Sequence, residues 1–233
     1  MNLKKIVSFT LATTIAVIFT SALLSLPVFA KEELPEVDSD GLHLVKSSKV
    51  RAAYIKPGTD LSQYSKVMLI DCYVDFVKDW EKNYNLDQIG LSGRIRDKDA
   101  EAIKKRLAEE FNKVFTKELT EKGFPVVDAA GPGVLLLRPA LINVDVAAPD
   151  IMTAGIQNTY VRSAGAMTLY MEMYDSATST LIARVVDPKA DDDGFAKQAN
   201  RVTNKAAADR ILRYWAGLLA KHLDDEAHKN AGN

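Results

Sequence analysis

The fold is decided by residues 159–187, which read TYVRSAGAMTLYMEMYDSATSTLIARVVD. Apolar and polar side chains alternate along the first part of this stretch, which is typical of a β-strand with one buried face. One set is Val161, Met167, Leu169, Met171 and Met173, and the opposite set is Tyr160, Arg162, Thr168, Tyr170 and Glu172. Turn-forming residues from Asp175 to Thr180 then let the chain return from Leu181 to Asp187. The pattern therefore predicts an antiparallel hairpin whose first strand, over 159–175, is half buried.

Two long amphipathic helices accompany this hairpin. Residues 97–122 repeat apolar side chains three or four positions apart, which predicts a helix with one buried face. These side chains are Ile103, Leu107, Phe111, Val114, Phe115 and Leu119. Asp97 is the predicted N-terminal cap, and Gly123 is the predicted end of the helix. Residues 203–225 predict a second helix, whose apolar face carries Ile211, Leu212, Trp215, Leu218 and Leu219.

Further strands are predicted at 51–56, 66–76, 124–128 and 134–146. Pro139 interrupts the last of these, so we expect that strand to lie at an edge of the sheet or to bulge there. Residues 77–96 show no clear period, which fits a long surface loop or a short helix. The fold class that follows is α+β, a two-layer sandwich. We expect a mainly antiparallel sheet of about five to six strands, with two long helices packed on one face.

The first thirty residues have the pattern of a secretory signal. Lys4 and Lys5 precede an uncharged stretch from 6 to 30, and Pro27 stands just before a cleavage motif that ends at Ala30. An uncleaved membrane anchor is the alternative, because the uncharged stretch is longer than the roughly 20 residues that cross a bilayer. In both cases the body of the protein lies outside the cytoplasm. We expect the soluble periplasmic form, with no stable membrane span after cleavage.

Removal of this signal, residues 1–30, leaves a predicted polar leader at 31–50, a single α+β domain at 51–226 and a disordered tail at 227–233. Because 30 basic residues nearly balance 31 acidic ones, the chain lacks the positive surface that nucleic acid requires, and we exclude nucleic acid as a partner. Cys72 is the only cysteine. It falls on the apolar face of the predicted strand 66–76, which favours a buried thiol over one exposed for pairing with another chain.

The sequence offers no recognisable catalytic or metal-binding motif. The histidines are His43, His222 and His228; the last two are six positions apart, whereas zinc ligands on one helix favour a spacing of four. The acidic run ending at Gly194 resembles a calcium loop only in part, because Lys189 and Asn200 stand where its first and last ligands belong. We predict no cofactor and no metal, and weak calcium binding outside cells stays open.

Several short motifs occur in an order that resembles a known family. They are Asp40-Gly41-Leu42, Tyr54 to Leu61, Val126-Val127-Asp128, Gly131-Pro132-Gly133, Leu137 to Leu141, Ala148-Pro149-Asp150, Ser163-Ala164-Gly165, Asp175-Ser176, Ala183-Arg184, Asn204 and Trp215. Over roughly residues 40 to 223 the chain is similar to an uncharacterised family of exported proteobacterial proteins, domain of unknown function number thirty-three thirteen. The resemblance implies no reaction. Many relatives are lipoproteins, whereas this sequence has no cysteine directly after its signal.

Two functions remain open. The first is a non-catalytic binding or assembly module that contacts another envelope protein through the sheet or its loops; Tyr160 and Tyr170 are candidate binding residues, because tyrosine is enriched at interfaces. The second is a periplasmic enzyme, such as a hydrolase, with a site near Asp150, Arg162 and Asp187. A pocket that gathers those three side chains would favour the enzyme, and a flat apolar patch would favour the binding module.

Overall fold

The structure is a computed structural model and describes residues 33–46, 48–86, 88, 93–146, 159–161, 165–190, 197–199 and 201–231. From residue 34 onward the described residues belong to one compact unit. The strands are β1 His43–Leu44, β2 Ala52–Ile55, β3 Lys66–Leu69, β4 Tyr73–Phe76, β5 Val134–Val146, β6 Thr159–Val161, β7 Gly165–Asp175, β8 Thr180–Ala190 and β9 Lys197–Ala199. The helices are α1 Trp80–Leu86, α2 Asp97–Glu121 and α3 Arg201–Ala231.

Within the described residues, a seven-stranded sheet forms one layer of the domain. Its order is β1-β2-β8-β7-β5, and both β3 and β4 pair with the far side of β5. β3 and β4 run parallel to β5, whereas the remaining pairs in this sheet are antiparallel. β6 and β9 form a separate antiparallel pair. The predicted α+β class, with a mainly antiparallel sheet, is confirmed.

The alternation along β7 divides the sheet into a buried face and an outer face. Met167, Leu169, Met171 and Met173 are all buried in the main hydrophobic core. Tyr170 and Tyr174 point the other way and are half-buried. The sequence therefore assigned both faces of this strand correctly, although the predicted strand over 159–175 is divided into β6 and β7.

α2 and α3 pack against the buried face and against each other. Phe111, Phe115 and Leu119 of α2 are fully buried, as are Leu212 and Ala216 of α3. The N-cap of α2 is Arg96 rather than the predicted Asp97, because the Asp99 carboxylate accepts a hydrogen bond from the Arg96 backbone N–H. Gly123 ends the helix as predicted, with a φ of 87° that suits glycine.

The predicted strand over 66–76 is broken into β3 and β4, although Cys72 is buried as expected. The break lies opposite Pro139 of β5. Leu69 pairs with Leu137 and Tyr73 pairs with Ala140, so residues 70–72 between β3 and β4 are one residue more than the facing residues 138 and 139 of β5. Of the two alternatives for the strand that contains Pro139, the edge position is not observed, since β5 is paired on both sides, whereas the extra residue opposite Pro139 agrees with the expected bulge. A central strand accommodates this proline because its neighbour is interrupted beside it.

The remaining differences concern the ends of elements. Residues 80–86 form the short helix α1, which was one of the two alternatives for 77–96. The predicted strand over 124–128 contributes a single bridge between Val126 and Val67. Residues 34–46, predicted as part of a polar leader, contain β1 and the buried Leu42. α3 continues to Ala231, past the predicted domain end at 226.

Candidate functional site

The outer face of the sheet carries apolar and aromatic side chains that do not belong to the core. Met68, Leu136 and Ile142 are half-buried on this face, between core neighbours such as Leu135 and Leu137. Tyr73 is 61% exposed. We use the name tyrosine face for the following set: Met68, Tyr73, Leu136, Arg138, Ala140, Ile142, Tyr170 and Tyr174.

The strand register brings this set together. Ala140 pairs with Tyr73 on one side and with Tyr170 on the other, so two tyrosines flank a small residue. Further along β5, Arg138 lies opposite Glu172 and Leu136 lies opposite Tyr174. Directly paired side chains on one face of a sheet contact each other. With Met68 opposite Leu136, the tyrosine face is therefore a continuous surface across β3, β4, β5 and β7.

Glu172 is a buried carboxylate in the middle of this face. It is 9% exposed, and it accepts hydrogen bonds from Tyr170 Oη at 2.9 Å and Tyr174 Oη at 2.8 Å. Arg184 Nη2 donates to it at 3.1 Å, and Arg138 Nη1 lies 3.5 Å away. Burial alone raises the pKa of Glu172, but the hydrogen bonds from the two tyrosines and Arg184 outweigh it and lower that pKa. The carboxylate thus stays ionised and fixes both tyrosine rings.

Arg184 joins this carboxylate to the N-terminal segment. Its Nη1 donates to Asp38 and its Nη2 to Asp40, each at 2.6 Å. The side chains of Arg184 and Asp38 are 14% and 11% exposed. Burial lowers the pKa of Arg184, but the hydrogen bonds to Asp40 and Glu172 more than offset it, so that pKa is raised above its ordinary value. We call this group, Arg184 with Asp38, Asp40 and Glu172, the Arg184 cluster.

The Arg184 cluster holds residues 34–44 against one side of the outer face. Leu42 of this segment forms a small buried cluster with Ala52 and Tyr54 of β2, and Leu34 and Leu44 pack on it. Burial of apolar side chains and the ion pair between Arg184 and Asp38 therefore both hold this short segment in place. Within the described residues this segment lies over β2 and β8, whereas on β4 and β5 Tyr73 is 61% exposed and the Arg138 side chain is 64% exposed.

Asp187, a predicted site residue, has a structural position on the opposite face. It is 3% exposed and accepts hydrogen bonds from Trp215 Nε1 and from the Arg51 backbone N–H, both at 2.8 Å. Lys189 Nζ lies 3.6 Å from the same carboxylate. Both oxygens of Asp187 are thus engaged in tying α3 and β2 to β8.

The other predicted site residues divide into two groups. Tyr170 belongs to the tyrosine face, as described above. Tyr160 lies in β6, where it pairs with Gln198 of β9, and its side chain is outside the described residues. Asp150 and Arg162 also lie outside the described residues. The expected grouping of these two with Asp187 therefore stays a prediction.

Sequence reasoning missed Glu172, Arg184 and Asp38 as parts of one site. A signal was present, because Glu172 stands between Met171 and Met173 in the most apolar strand, where an unpartnered charge is costly. The sequence does not show which side chain pairs with Glu172. That side chain is Arg184, which also binds Asp38, 146 positions away in the chain.

Two further features bear on ligands. A cavity of about 460 Å³ lies between α2, α3 and the ends of β5 and β7, with Ile103, Leu107, Val146 and Met167 among its lining side chains. No group of three or more His, Cys, Asp or Glu side chains is placed to hold a metal ion in the part of the chain that the structure describes. The described helices also include none with the length and apolar character needed to cross a bilayer.

The fold and the outer face together define a class: an α+β protein with two long helices on one side of a mixed sheet and a tyrosine-bearing surface on the other. The family model described as "Protein of unknown function (DUF3313)" matches residues 38–219. The chain belongs to this family.

Comparison with solved structures finds similarity at low identity. The PelC dodecamer from Paraburkholderia phytofirmans is 8% identical, with a TM-score of 0.34, 71% of this chain covered and 96% of the other. A DUF330 protein from Xanthomonas campestris is 9% identical, with a TM-score of 0.41 and coverages of 77% and 94%. A neuraminyllactose-binding hemagglutinin homologue from Helicobacter pylori is 12% identical, with a TM-score of 0.26 and coverages of 70% and 88%. A comparison with curated proteins finds none that matches.

Proposed function

We propose that the chain is exported to the periplasm and acts there as a non-catalytic binding or assembly module of the cell envelope. Its partner is another envelope protein, which it binds through the tyrosine face. Export is supported by residues 1–30, in which Lys4 and Lys5 precede an uncharged stretch that ends at Ala30.

The observation that carries the binding proposal is the state of the tyrosine face. Tyr73 is 61% exposed, and on the other side of Ala140 Tyr170 is held by Glu172 in one orientation. Tyrosines that are fixed before binding lose little conformational entropy when a partner arrives, and Tyr and Arg are enriched in interface hot spots. Arg138, whose side chain is 64% exposed, adds a charged group at the same surface. The face thus combines apolar area, ordered aromatic rings and a charge for orientation.

The test is site-specific photo-crosslinking in intact cells of the native host. A photoreactive amino acid replaces Tyr73 on the tyrosine face or, as a matched control, Lys105 on the solvent side of α2, whose side chain is 79% exposed. We expect one envelope protein to be crosslinked reproducibly from position 73 and not from position 105. N-terminal sequencing of the isolated chain, expected to begin at Lys31, tests the export step separately.

Affinity measurements with the crosslinked partner then test the face itself. Tyr73→Ala should weaken binding at least ~10-fold, as expected for a tyrosine that contributes to a hot spot, whereas Lys105→Ala should leave the affinity unchanged. If both positions crosslink equally, or if neither does while a known envelope complex is captured in the same cells, the tyrosine face is not a partner surface.

A further inference from the structure

A second cavity opens on the helix side of the sheet, away from the tyrosine face. It has a volume of about 330 Å³ and lies between α3, strands β7 and β8, Val45 and residues 48–50. We call it the α3 cleft and define it by its lining residues: Val45, Ser48, Lys49, Val50, Phe115, Leu169, Met171, Met173, Val185, Trp215, Leu218, Leu219, Lys221, His222 and Asp225. Its volume falls at the lower end of the range of small-molecule sites, about 300–1,000 Å³.

The interior of the α3 cleft is apolar and adaptable. Leu169, Met171 and Met173 of β7 line it together with Trp215 of α3. Methionine side chains are unbranched and flexible, so they adapt to ligands of irregular shape. A wall of this kind suits a flexible hydrocarbon chain better than a rigid ring.

The rim of the cleft is polar. Among its described lining residues are two lysines, Lys49 and Lys221, one acid, Asp225, and the imidazole of His222. Lys221 is committed to that acid, with Nζ at 2.9 Å and 3.0 Å from its two oxygens. Lys49 has no acidic side chain within ion-pair distance among the described residues. Lys49 is thus unpaired within the described part of the chain, and a cation at the mouth of an apolar cleft complements a ligand with one anionic end.

We propose that the α3 cleft binds a single-chain carboxylate amphiphile of the fatty-acid class. The hydrocarbon chain lies along Met171 and Met173, and the carboxylate lies at the rim beside Lys49 and His222. The site is separate from the tyrosine face, since the two lie on opposite sides of the sheet. It therefore does not rest on the proposed protein partner, and either proposal can fail alone.

In the experiment, the protein is purified after export and then titrated with dodecanoate. The dodecanoate concentration stays below the value at which dodecanoate forms micelles. Carbon-13 methyl labelling of methionine makes NMR the readout, because the methionines report on different places. Met171 and Met173 line the α3 cleft, Met167 lines the cavity beside α2, and Met68 lies on the tyrosine face. We expect saturable shifts at Met171 and Met173 and none at Met68. Shifts confined to Met167, or no saturable shift at any of them, would overturn the proposal.

Chain length and charge give two further tests. Across octanoate, decanoate and dodecanoate, each added methylene should tighten binding about fourfold until the cleft is full. Lys49→Glu should weaken dodecanoate binding about 10-fold and leave dodecanol binding unchanged. Lys46→Glu is the matched control, since Lys46 lies in the same segment but pairs with Glu36 outside the cleft. Equal effects of the two substitutions, or no dependence on chain length, would show that the binding is nonspecific adsorption.

Discussion

Removal of the charge on Arg184 should destabilise the protein far more than removal of the charge on Arg138. Both arginines contact the same carboxylate, that of Glu172. The Arg184 side chain is 14% exposed, whereas that of Arg138 is 64% exposed. Substitution of each arginine in turn therefore compares a buried ion pair with a solvent-exposed ion pair at the same acidic residue, Glu172. Replacement by methionine in each case keeps most of the apolar stem and removes the guanidinium.

The magnitude follows from the partners that each arginine leaves behind. Loss of Arg184 removes one charged hydrogen bond from Glu172 and one from Asp38, both largely buried, and each such bond contributes about 1.5–3 kcal/mol. Asp40 is half exposed and adds little. We expect Arg184→Met to lower the free energy of unfolding by about 3 kcal/mol, at the lower end of the range for broken buried pairs. Arg138→Met should cost about 0–1 kcal/mol, as exposed pairs do.

Urea denaturation of the exported protein, followed by circular dichroism, measures both values. For a domain of this size a loss of about 3 kcal/mol corresponds to a fall in Tm of roughly 6–12 °C. Because the pKa of Glu172 is lowered on folding, its contribution is present above the ordinary value of 4.5 and is lost as the pH falls below it. The gap between wild type and Arg184→Met should therefore narrow in acid. Equal costs for the two arginines at neutral pH would refute the argument from burial.

Three other predictions follow from the described contacts. The Cys72 thiol, whose pKa burial raises to about 12, should react with Ellman's reagent at pH 8 at least ~100-fold more slowly in the native protein than in denaturant; a fast native reaction would show that the thiol is exposed. Trp215→Phe should cost about 1–3 kcal/mol in urea denaturation, because it leaves one oxygen of the buried Asp187 without its donor, and an unchanged midpoint would contradict this role. Gly133→Ala should lower the free energy of unfolding by more than about 1 kcal/mol, because Gly133 has a φ of 70° that strains any other residue. Gly131→Ala, with open space around the added methyl group, should leave that free energy almost unchanged. Equal effects of the two substitutions would count against backbone strain at Gly133.

The elements that the sequence predicted well are those in which one periodicity persists over many residues. The hairpin strand β7 and the helix α2 each show it for at least two full repeats, and in both the buried face was assigned correctly. The break between β3 and β4 was missed because Met68, Ile70, Cys72 and Val74 keep the alternation of a single strand. Only the pairing with β5 shows that an extra residue lies opposite Pro139.

The candidate site was less predictable because it depends on contacts between distant parts of the chain. Tyr170 was identified from its place in an alternating strand. The carboxylate that orients it is only two positions away, but the role of Glu172 depends on Arg184 and on the fold of residues 34–44. Those residues contain too few apolar side chains in sequence to predict a buried segment. Leu42 is buried because Tyr54 and Ala52 lie beneath it, which no local pattern shows.

The long separation between Asp38 and Arg184 also sets an order of folding events. A chain that emerges with its amino end first presents β2 long before β8, its partner in the sheet, is available. In the same way, β3 cannot pair until β5, its partner in the sheet, has emerged. Pairings between such distant segments slow folding, because a large loop must close before any contact is gained. The first quarter of the domain should therefore stay open to chaperones until the β7–β8 hairpin arrives, and the Arg184 cluster should form among the last contacts.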